Sequence, residues 1–502
     1  MTYIGLDIGT TGCKASVIDQ NGVTLYSKYC EYNLIFPSKD WVEIDAGMVW
    51  QKVCLALSEL AAGNKSMRFD AIAVGSFGES VVLLDKDDKV IGNSIFYTDS
   101  RGNEEIRQVL AGIEQTELQN ITGMPVHSMY SINKLLWIRK HRPEQWAKAE
   151  RIMLFADYIG YMLTGKAVID YSLASRSMMF DIHDKTWSKK IFRVFGFNTE
   201  AFSRPDVSGT VVGTVLPRIA AQLSLNDDIK LVLGAHDQAC AAVGAGALQA
   251  GDAVDSIGAA ECITAVIDRE KANTQLFRYN FCCEPHAVPG KYITLAFHSS
   301  AGAAIKWYRD TFEQERYKYF EQRNQDIYRI LDEECGAEPS EVYFLPHLAG
   351  SGTPMLDSRS RGAFLGLTLG TAKNQIYKSI LEGICFETKL NTQLLEECGI
   401  RIDRMVSVGG GARSKTLLSI KSHIMGLKVC TLEAAESGAM GLAILCAYAM
   451  EAYGSIEQAA AVMVKEKGTC YPDSGMQKKY GEKFQIYRRI YPALKNIHLG
   501  GI

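Results

Sequence analysis

The fold that we predict for this chain is indicated first by the segment Leu6-Asp7-Ile8-Gly9-Thr10-Thr11-Gly12-Cys13-Lys14. An apolar run leads into a glycine-rich turn, and apolar residues alternate with others over residues 13–19, which indicates two strands joined by that turn. The Asn-Gly pair at 21–22 predicts a tight hairpin into a third alternating strand over 23–32. A helical pattern and another apolar strand follow by residue 75, so we expect a mixed sheet covered by helices.

A second stretch repeats the first in its order of residue types. Residues 255–264 again place a polar residue, a glycine turn and an alternating strand one after another. Farther along, an apolar strand over 405–408 runs into a second glycine-rich loop at 409–411. A duplicated domain would leave this echo, so we predict two α/β domains, one over residues 1–249 and one over residues 250–502.

The composition excludes several classes of protein. The 502 residues are 47% hydrophobic and 22% charged, which is ordinary for a globular chain with more than one domain. Lys and Arg total 54 against 57 Asp and Glu, and the net charge is −3. We therefore expect no nucleic-acid or membrane partner that needs an overall basic field, although a local basic patch stays open.

We expect a cytoplasmic location. The thirteen cysteines are odd in number and form neither a Cys-x-x-Cys pair nor a cluster with zinc spacing, so we interpret them as reduced thiols. Asp7 stands where a signal peptide would be apolar. The longest apolar run, residues 439–450, is too short to span a bilayer and predicts a buried helix.

The segment from Asp7 to Lys14 is the first candidate for phosphate chemistry. Backbone N–H groups of such a turn can hold phosphate oxygens, and Asp7 can hold Mg²⁺ through water. Thr10, Thr11 and Lys14 can add further bonds to the phosphates. Taken alone, the segment is explained equally well by an ordinary hairpin with a solvated aspartate.

The glycine-rich loop Gly409-Gly410-Gly411-Ala412-Arg413-Ser414 is the second candidate, for nucleotide contact. Glycines between a strand and a helix let a ligand approach the backbone closely. The spacing is not G-x-G-x-x-G, and the chain has no G-x-x-x-x-G-K-[ST], so neither a dinucleotide fingerprint nor a P-loop is supported. A tight turn without a ligand stays open.

The segment Gly234-Ala235-His236-Asp237-Gln238 is the candidate for proton transfer. It places two titratable side chains at the end of an apolar strand and just before a helix of small residues. Asp237 is suited to accept a proton from a hydroxyl nucleophile, which a phosphoryl transferase needs. We interpret His236 as a hydrogen-bonding group for the fold or the substrate, because no neighbouring His or Cys offers it a metal partner.

Nine segments in chain order resemble the FGGY carbohydrate kinases. This family shares the architecture of actin, hexokinase and the heat-shock ATPases, so the resemblance implies an α/β fold with two ribonuclease-H-like (actin/hexokinase-type) domains around a central cleft. Each segment is weak alone, but the nine together are specific for the family and not for the sugar. They are residues 6–11; 97–101; 157–158 with 163–165; 170–175; 234–238; 301–302 with 307; 346–348 with 352–354; 361–364; and 409–414.

The resemblance implies ATP-dependent phosphorylation of a sugar or polyol hydroxyl. In that reaction Asp237 would be the general base, and Asp7 would hold Mg²⁺. The residues implied on the sugar side of the cleft are Glu79, Ser80, Tyr97, Asp99, His236 and Asp237. The residues implied to contact the nucleotide are Thr10, Thr11, Lys14, Gly258, Ala259, Gly302, Lys306, Gly410, Gly411 and Ser414.

Three departures from the family pattern bear on activity and substrate. Ala259 stands where the second phosphate hairpin usually has Thr, so one hydroxyl contact is missing. Glycerol kinases carry Arg and Tyr where this chain has Gly78 and Met129. Xylulokinases typically show Met-His at the positions of Glu79 and Ser80.

We therefore expect a kinase for a small ketose, with the pentulose xylulose as the first candidate, or for a polyol. The alternative is a nucleotide-binding and sugar-binding regulatory protein on the same scaffold with weak or no turnover, which the loss of threonine at Ala259 motivates. Retention of Asp7 and Asp237 argues against it, because a pure binder needs neither. The sugar, the phosphorylated carbon and the oligomeric state stay open, with a homodimer as one arrangement.

Overall fold

The computed structural model of the chain describes residues 1–64, 67–271, 275–434 and 436–498, and its first large sheet is built from the N-terminal half. Its strands are β1 (Thr2–Ile8), β2 (Gly12–Asp19), β3 (Thr24–Glu31), β4 (Ala71–Ser76), β5 (Val211–Thr214) and β6 (Lys230–His236). They lie in the order β5-β6-β4-β1-β2-β3. The first three strands are antiparallel neighbours, whereas β4 and β6 run parallel to β1.

The second large sheet repeats this arrangement. Its strands are β7 (Asp252–Ile257), β8 (Glu261–Asp268), β9 (Glu284–Pro285), β10 (Lys291–His298), β11 (Arg404–Val408), β12 (Val429–Leu432) and β13 (Glu466–Cys470). They lie in the order β9-β10-β8-β7-β11-β12-β13, with β7, β8 and β10 antiparallel and β11 and β12 parallel to β7. The order β10-β8-β7-β11-β12 matches β3-β2-β1-β4-β6, so the echo in the sequence is a repeated sheet.

Helices cover both sheets. They are α1 (Ala46–Ala62), α2 (Glu105–Gly112), α3 (Gln115–Thr122), α4 (Ser131–His141), α5 (Pro143–Lys148), α6 (Phe155–Thr164), α7 (Tyr171–Ser175), α8 (Lys189–Phe195), α9 (Pro217–Leu223), α10 (Asp237–Gly244), α11 (Gly302–Phe312), α12 (Gln314–Glu321), α13 (Ile327–Glu334), α14 (Lys373–Glu397), α15 (Lys415–Met425), α16 (Ser437–Ala449), α17 (Ile456–Met463), α18 (Ser474–Tyr487) and α19 (Ile490–His498). Within the described ranges, no helix is long and apolar enough to cross a membrane.

Smaller elements complete the chain. Two-stranded pairs are Glu43–Ile44 with Ser94–Ile95, Val82–Leu84 with Arg151–Met153, Val168–Asp170 with Arg204–Asp206, Phe180–Asp181 with Thr186–Trp187, and Tyr343–Leu345 with Ala363–Leu365. Single 3₁₀ turns are Thr199–Ala201, Arg269–Lys271, Leu276–Tyr279 and Gly410–Arg413.

The apolar helix α16 joins the two halves of the molecule. It follows the second sheet in the chain, yet it packs on β1, β4 and β6 of the first sheet and on α10. Glycines permit the close approach, because an added Cβ at Gly244 would lie 1.8 Å from the Ser437 carbonyl oxygen and one at Gly441 would lie 1.9 Å from the Cys240 carbonyl oxygen. The predicted buried helix over 439–450 is thus confirmed, whereas the domain boundary near residue 250 stays a prediction.

The contact between α10 and α16 yields a stability prediction. Gly441→Val puts three carbons where the Cys240 carbonyl lies, and we expect the free energy of unfolding to fall by about 1–3 kcal/mol or more. Gly481→Ala on α18 is the control, because its added Cβ meets nothing within 4 Å and alanine favours the helix by about 0.5–1 kcal/mol. Urea unfolding followed by circular dichroism measures both. A Gly441→Val protein as stable as wild type would contradict the close approach.

Candidate functional site

A cavity of about 620 Å³ lies beside the second glycine turn, at residues 258–260, and its wall contains none of Asp7, Thr10, Thr11 and Lys14. Of the residues implied for the site, its walls contain Glu79, Tyr97, His236, Asp237, Gly258 and Ala259. The first four come from the N-terminal half and the last two from the C-terminal half. The cavity therefore depends on both halves of the chain.

Asp237 stands at the strand-to-helix junction that the sequence indicated. Strand β6 continues through His236, and Asp237 is the first residue of α10. Gly234 lets β6 lie against β4, since an added Cβ there would come within 2.0 Å of the Val74 carbonyl oxygen. Oδ1 of Asp237 is buried without a hydrogen-bond partner among the described residues. This atom is placed to receive a proton or a cation.

Five ionisable side chains run end to end beside the cavity, and we name them the charge chain. The Nε2 atom of His236 lies 3.2 Å from Asp237 Oδ1, and His236 Nδ1 lies 2.8 Å from Glu284 Oε1. Arg176 Nη1 donates to Glu284 Oε2 at 3.3 Å. Arg176 Nε donates to Glu79 Oε1 at 2.7 Å, and its Nη2 donates to the same oxygen. Alternating signs therefore extend from Asp237 to Glu79.

The charges of Arg176, Glu284 and His236 favour one another's ionised state. Burial opposes a charged His236, but the Glu284 and Asp237 carboxylates outweigh it and raise the pKa of His236 to about 9. Burial likewise opposes a charged Glu284, yet His236 and Arg176 bring its pKa below the usual range. At neutral pH both His236 and Arg176 are cations, and each is bound by a carboxylate.

Glu79 is fixed in an uncommon backbone conformation. Its φ is 65°, in the left-handed region that a glutamate seldom adopts. Ser131 Oγ donates to the Glu79 carbonyl oxygen at 2.6 Å and holds this turn. The preceding Gly78 is needed because an added Cβ would lie 2.7 Å from Cγ of Arg176. The space beside Gly78 is filled by Arg176, which the sequence did not single out.

Asp7 lies near Asp237 and is the candidate metal ligand. Burial, followed by the negative charges of Asp237 and Glu436, raises the pKa of Asp7 to about 7, while Lys14 opposes the shift. Lys14 Nζ forms a salt bridge with Glu436 Oε1 at 2.5 Å, and both side chains are partly exposed. The carboxylates of Asp7 and Asp237 offer oxygen donors of the kind that Mg²⁺ prefers, and among the described residues they are not part of a group of three or more potential metal-ligand side chains.

The glycine turn at residues 9–12, which the sequence offered as a candidate for phosphate contact, is held by two tyrosines, one from β3 and one from the segment after it. Tyr29 OH donates to the Thr11 carbonyl at 3.0 Å, and Tyr32 OH donates to the Gly9 carbonyl at 2.6 Å. Gly9 N–H donates across the turn to the Gly12 carbonyl at 3.0 Å. Thr10 and Thr11 lie on this turn at the end of β1, which is the position that the sequence predicted for them.

The predicted nucleotide residues of the second half also meet at one end of their sheet. Gly302 N–H, at the start of α11, donates to the Gly258 carbonyl at 2.9 Å, and Ala303 N–H donates to the Ala259 carbonyl at 3.1 Å. An added Cβ at Gly411 would lie 2.3 Å from Cγ2 of Ile257, so the loop at residues 409–411 packs closely against the end of β7, just before the turn at Gly258. Gly410 has open space around it.

Four of the predicted residues have other surroundings than we expected. Both carboxylate oxygens of Asp99 accept hydrogen bonds from Arg101, and Asp99 is 2% exposed and absent from the cavity wall. The Ser80 hydroxyl is buried off the wall and has no hydrogen-bond partner in the part of the chain that the structure describes. Ser414 caps α15 and donates to Asp332 Oδ2 at 2.6 Å. Lys306 is exposed on α11. A sugar contact by Asp99 and a free hydroxyl at Ser414 therefore lack support from this geometry.

Comparison with known proteins adds to this geometry. Residues 2–244 and 253–450 match the models of the N-terminal and C-terminal domains of the FGGY family of carbohydrate kinases. A xylulose kinase of Bacillus subtilis (strain 168) is 29% identical over 502 residues, covering 99% of this chain and 97% of that protein. A gluconokinase of the same strain is 26% identical over 499 residues, covering 98% of this chain and 96% of that protein.

A solved structure confirms the predicted fold class. The crystal structure described as a xyloylose kinase from Brucella ovis matches with a TM-score of 0.88 and 25% identity, covering 99% of this chain and all of that one. The chain is thus built like a two-domain kinase of the actin and hexokinase type along its whole length.

Proposed function

Because this chain belongs to the FGGY family of carbohydrate kinases, and is thus an ATP-dependent phosphotransferase acting on a sugar hydroxyl, we propose a small neutral ketose as its substrate. A ketopentose such as xylulose is our first candidate, because several similar full-length proteins are named xylulose kinases. Nothing in the comparisons supports the regulatory alternative without turnover. The cytoplasmic location and the homodimer stay predictions.

The balance of charge in the cavity is the observation that carries the choice of a neutral sugar. On the described part of the wall, the cations are Arg176 and His236, and carboxylates bind both. Burial, with the charges of Lys134 and Arg176, lowers the pKa of His127, which leaves this imidazole neutral. A sugar acid such as gluconate would bring a carboxylate with no free cation to meet it, which is costly in a partly buried site.

Hydroxyl groups suit the same wall. Both hydrogen bonds from Arg176 to Glu79 end on Oε1, so we expect Oε2 to accept a hydroxyl of the sugar. Tyr97 and Met129 add apolar surface beside it. A ketose offers several hydroxyl donors and a carbonyl acceptor, which is the complement of carboxylate oxygens and imidazole or guanidinium N–H groups.

The proposed reaction uses Asp237 as the base. As the sugar oxygen bonds to the γ-phosphorus of ATP, its proton passes to an Asp237 oxygen, and ADP leaves with the electron pair of the broken P–O bond. Asp7 would hold Mg²⁺, which would supply positive charge to offset the phosphate oxygens. The backbone N–H groups of the two glycine turns would hold the phosphates, and no hydroxyl at Ala259 is required for that.

The role of Asp237 is tested by Asp237→Asn. The amide keeps the shape but cannot take the proton, so we expect kcat to fall by about 10²–10⁴ while the Kd for ATP changes little. Asp206→Asn is the control, since that aspartate pairs with Arg204 away from the cavity. Coupled ADP release and calorimetric titration measure the two quantities. A kcat within threefold of wild type would rule out Asp237 as the base.

The substrate class is tested by comparing kcat/KM across a panel. The panel contains D-xylulose, L-xylulose, D-ribulose, L-ribulose, glycerol and gluconate. We expect one ketopentose to exceed gluconate by about tenfold or more, because the carboxylate lacks a free cation. Coupled ADP release at saturating ATP measures each value. Gluconate or glycerol as the best of the six would contradict the proposal.

A further inference from the structure

Glu284 belongs to the second sheet but binds residues of the first half of the chain. It lies on β9, where it pairs with Ile293 of β10. Its two carboxylate oxygens accept hydrogen bonds from His236 and from Arg176. Glu284 is thus the one member of the charge chain that crosses from one half of the molecule to the other.

Glu284 is placed to act through other residues and not on the substrate. Its side chain is 0% exposed, and it is not part of the cavity wall. Glu284 binds His236 and Arg176, and both of these line the wall. His236 also contacts Asp237, and Arg176 also contacts Glu79, which are the two carboxylates expected to contact the sugar. Glu284, in the middle of the charge chain, therefore contacts both cations that lie beside the carboxylates of the sugar site.

The local sequence makes the presence of this carboxylate notable. Glu284 follows Phe281, Cys282 and Cys283, which are all buried apolar residues. An ionised carboxylate among such residues is stable only when cations and hydrogen bonds compensate it. Apolar packing alone would be served better by a hydrophobic residue here, so the position is used for its charge.

We propose that Glu284 is a positioning residue for the sugar site, which turns His236 toward Asp237 and Arg176 toward Glu79. This inference rests on the function proposed above. A residue of the second domain would then orient two cations of the first domain, each of which contacts a carboxylate on the sugar side. Binding of the sugar is then coupled to the contact between the domains.

The geometry explains how one carboxylate can do this. When Nδ1–H of His236 donates to Glu284, the imidazole plane is fixed and Nε2–H faces Asp237. Arg176 presents Nη1 to Glu284 while Nε and Nη2 face Glu79, so its planar fork is held at both edges. Removing the charge of Glu284 frees both cations to rotate.

The test replaces Glu284 by its isosteric amide, Glu284→Gln. We expect KM for the best ketopentose of the panel to rise by about tenfold or more, while KM for ATP stays within twofold. Calorimetric titration of D-xylulose without nucleotide should show the same loss of affinity. Glu284→Asp keeps the charge but is too short to hold both partners, so we expect a smaller loss than for the amide.

A control separates positioning from stability. Glu382 is also a buried carboxylate of the second half, bound to Lys483 and Tyr480 and outside the cavity. Glu382→Gln should lower the melting temperature without changing KM for the sugar. The inference fails, and Glu284 is only structural, if Glu284→Gln lowers the melting temperature in the same way but leaves KM and Kd for the sugar within twofold. If Glu284→Gln does not fold, the same criterion applies to Glu284→Asp. A wild-type protein that phosphorylates no sugar would instead refute the proposed function.

Discussion

Burial of four alternating charges, which end at the partly exposed Asp237, is the constraint that shapes the site. Glu79, Arg176, Glu284 and His236 have little water around them, and a charge in such surroundings is stable only with partners of opposite sign. Every cation here lies between two carboxylates. The arrangement fixes the side chains that face the sugar, and it leaves one net negative charge, which favours hydroxyl donors over anions.

The repeated sheet explains why two halves meet at one cavity. Each half begins with two strands joined by a glycine-rich turn, and the turn of the second half lines the cavity. In the proposed function, backbone N–H groups of both turns would contact the phosphates. The close packing of α16 on the first sheet and on α10 connects the second half to the helix that Asp237 begins.

Local patterns predicted the parts of the structure that depend on neighbours in sequence. The two hairpins, the small-residue helix after Asp237 and the echo at residues 255–264 follow from alternation, glycines and turn chemistry. The roles of Arg176 and Glu284 could not be predicted, because their partners lie between 48 and 108 residues away along the chain. The only signal was a single acid in the apolar segment 281–288. Asp99 was expected on the sugar side of the cleft, but both of its carboxylate oxygens accept hydrogen bonds from Arg101, two residues along the chain.

A crystal structure with D-xylulose and a non-hydrolysable ATP analogue would test whether the charge chain forms a sugar site shared by both halves. We expect a sugar hydroxyl within hydrogen-bond distance of Glu79 and another beside Asp237, with Glu284 still bound to His236 and Arg176. A sugar bound away from both carboxylates, or a Glu284 separated from its two partners while the sugar is in place, would contradict it.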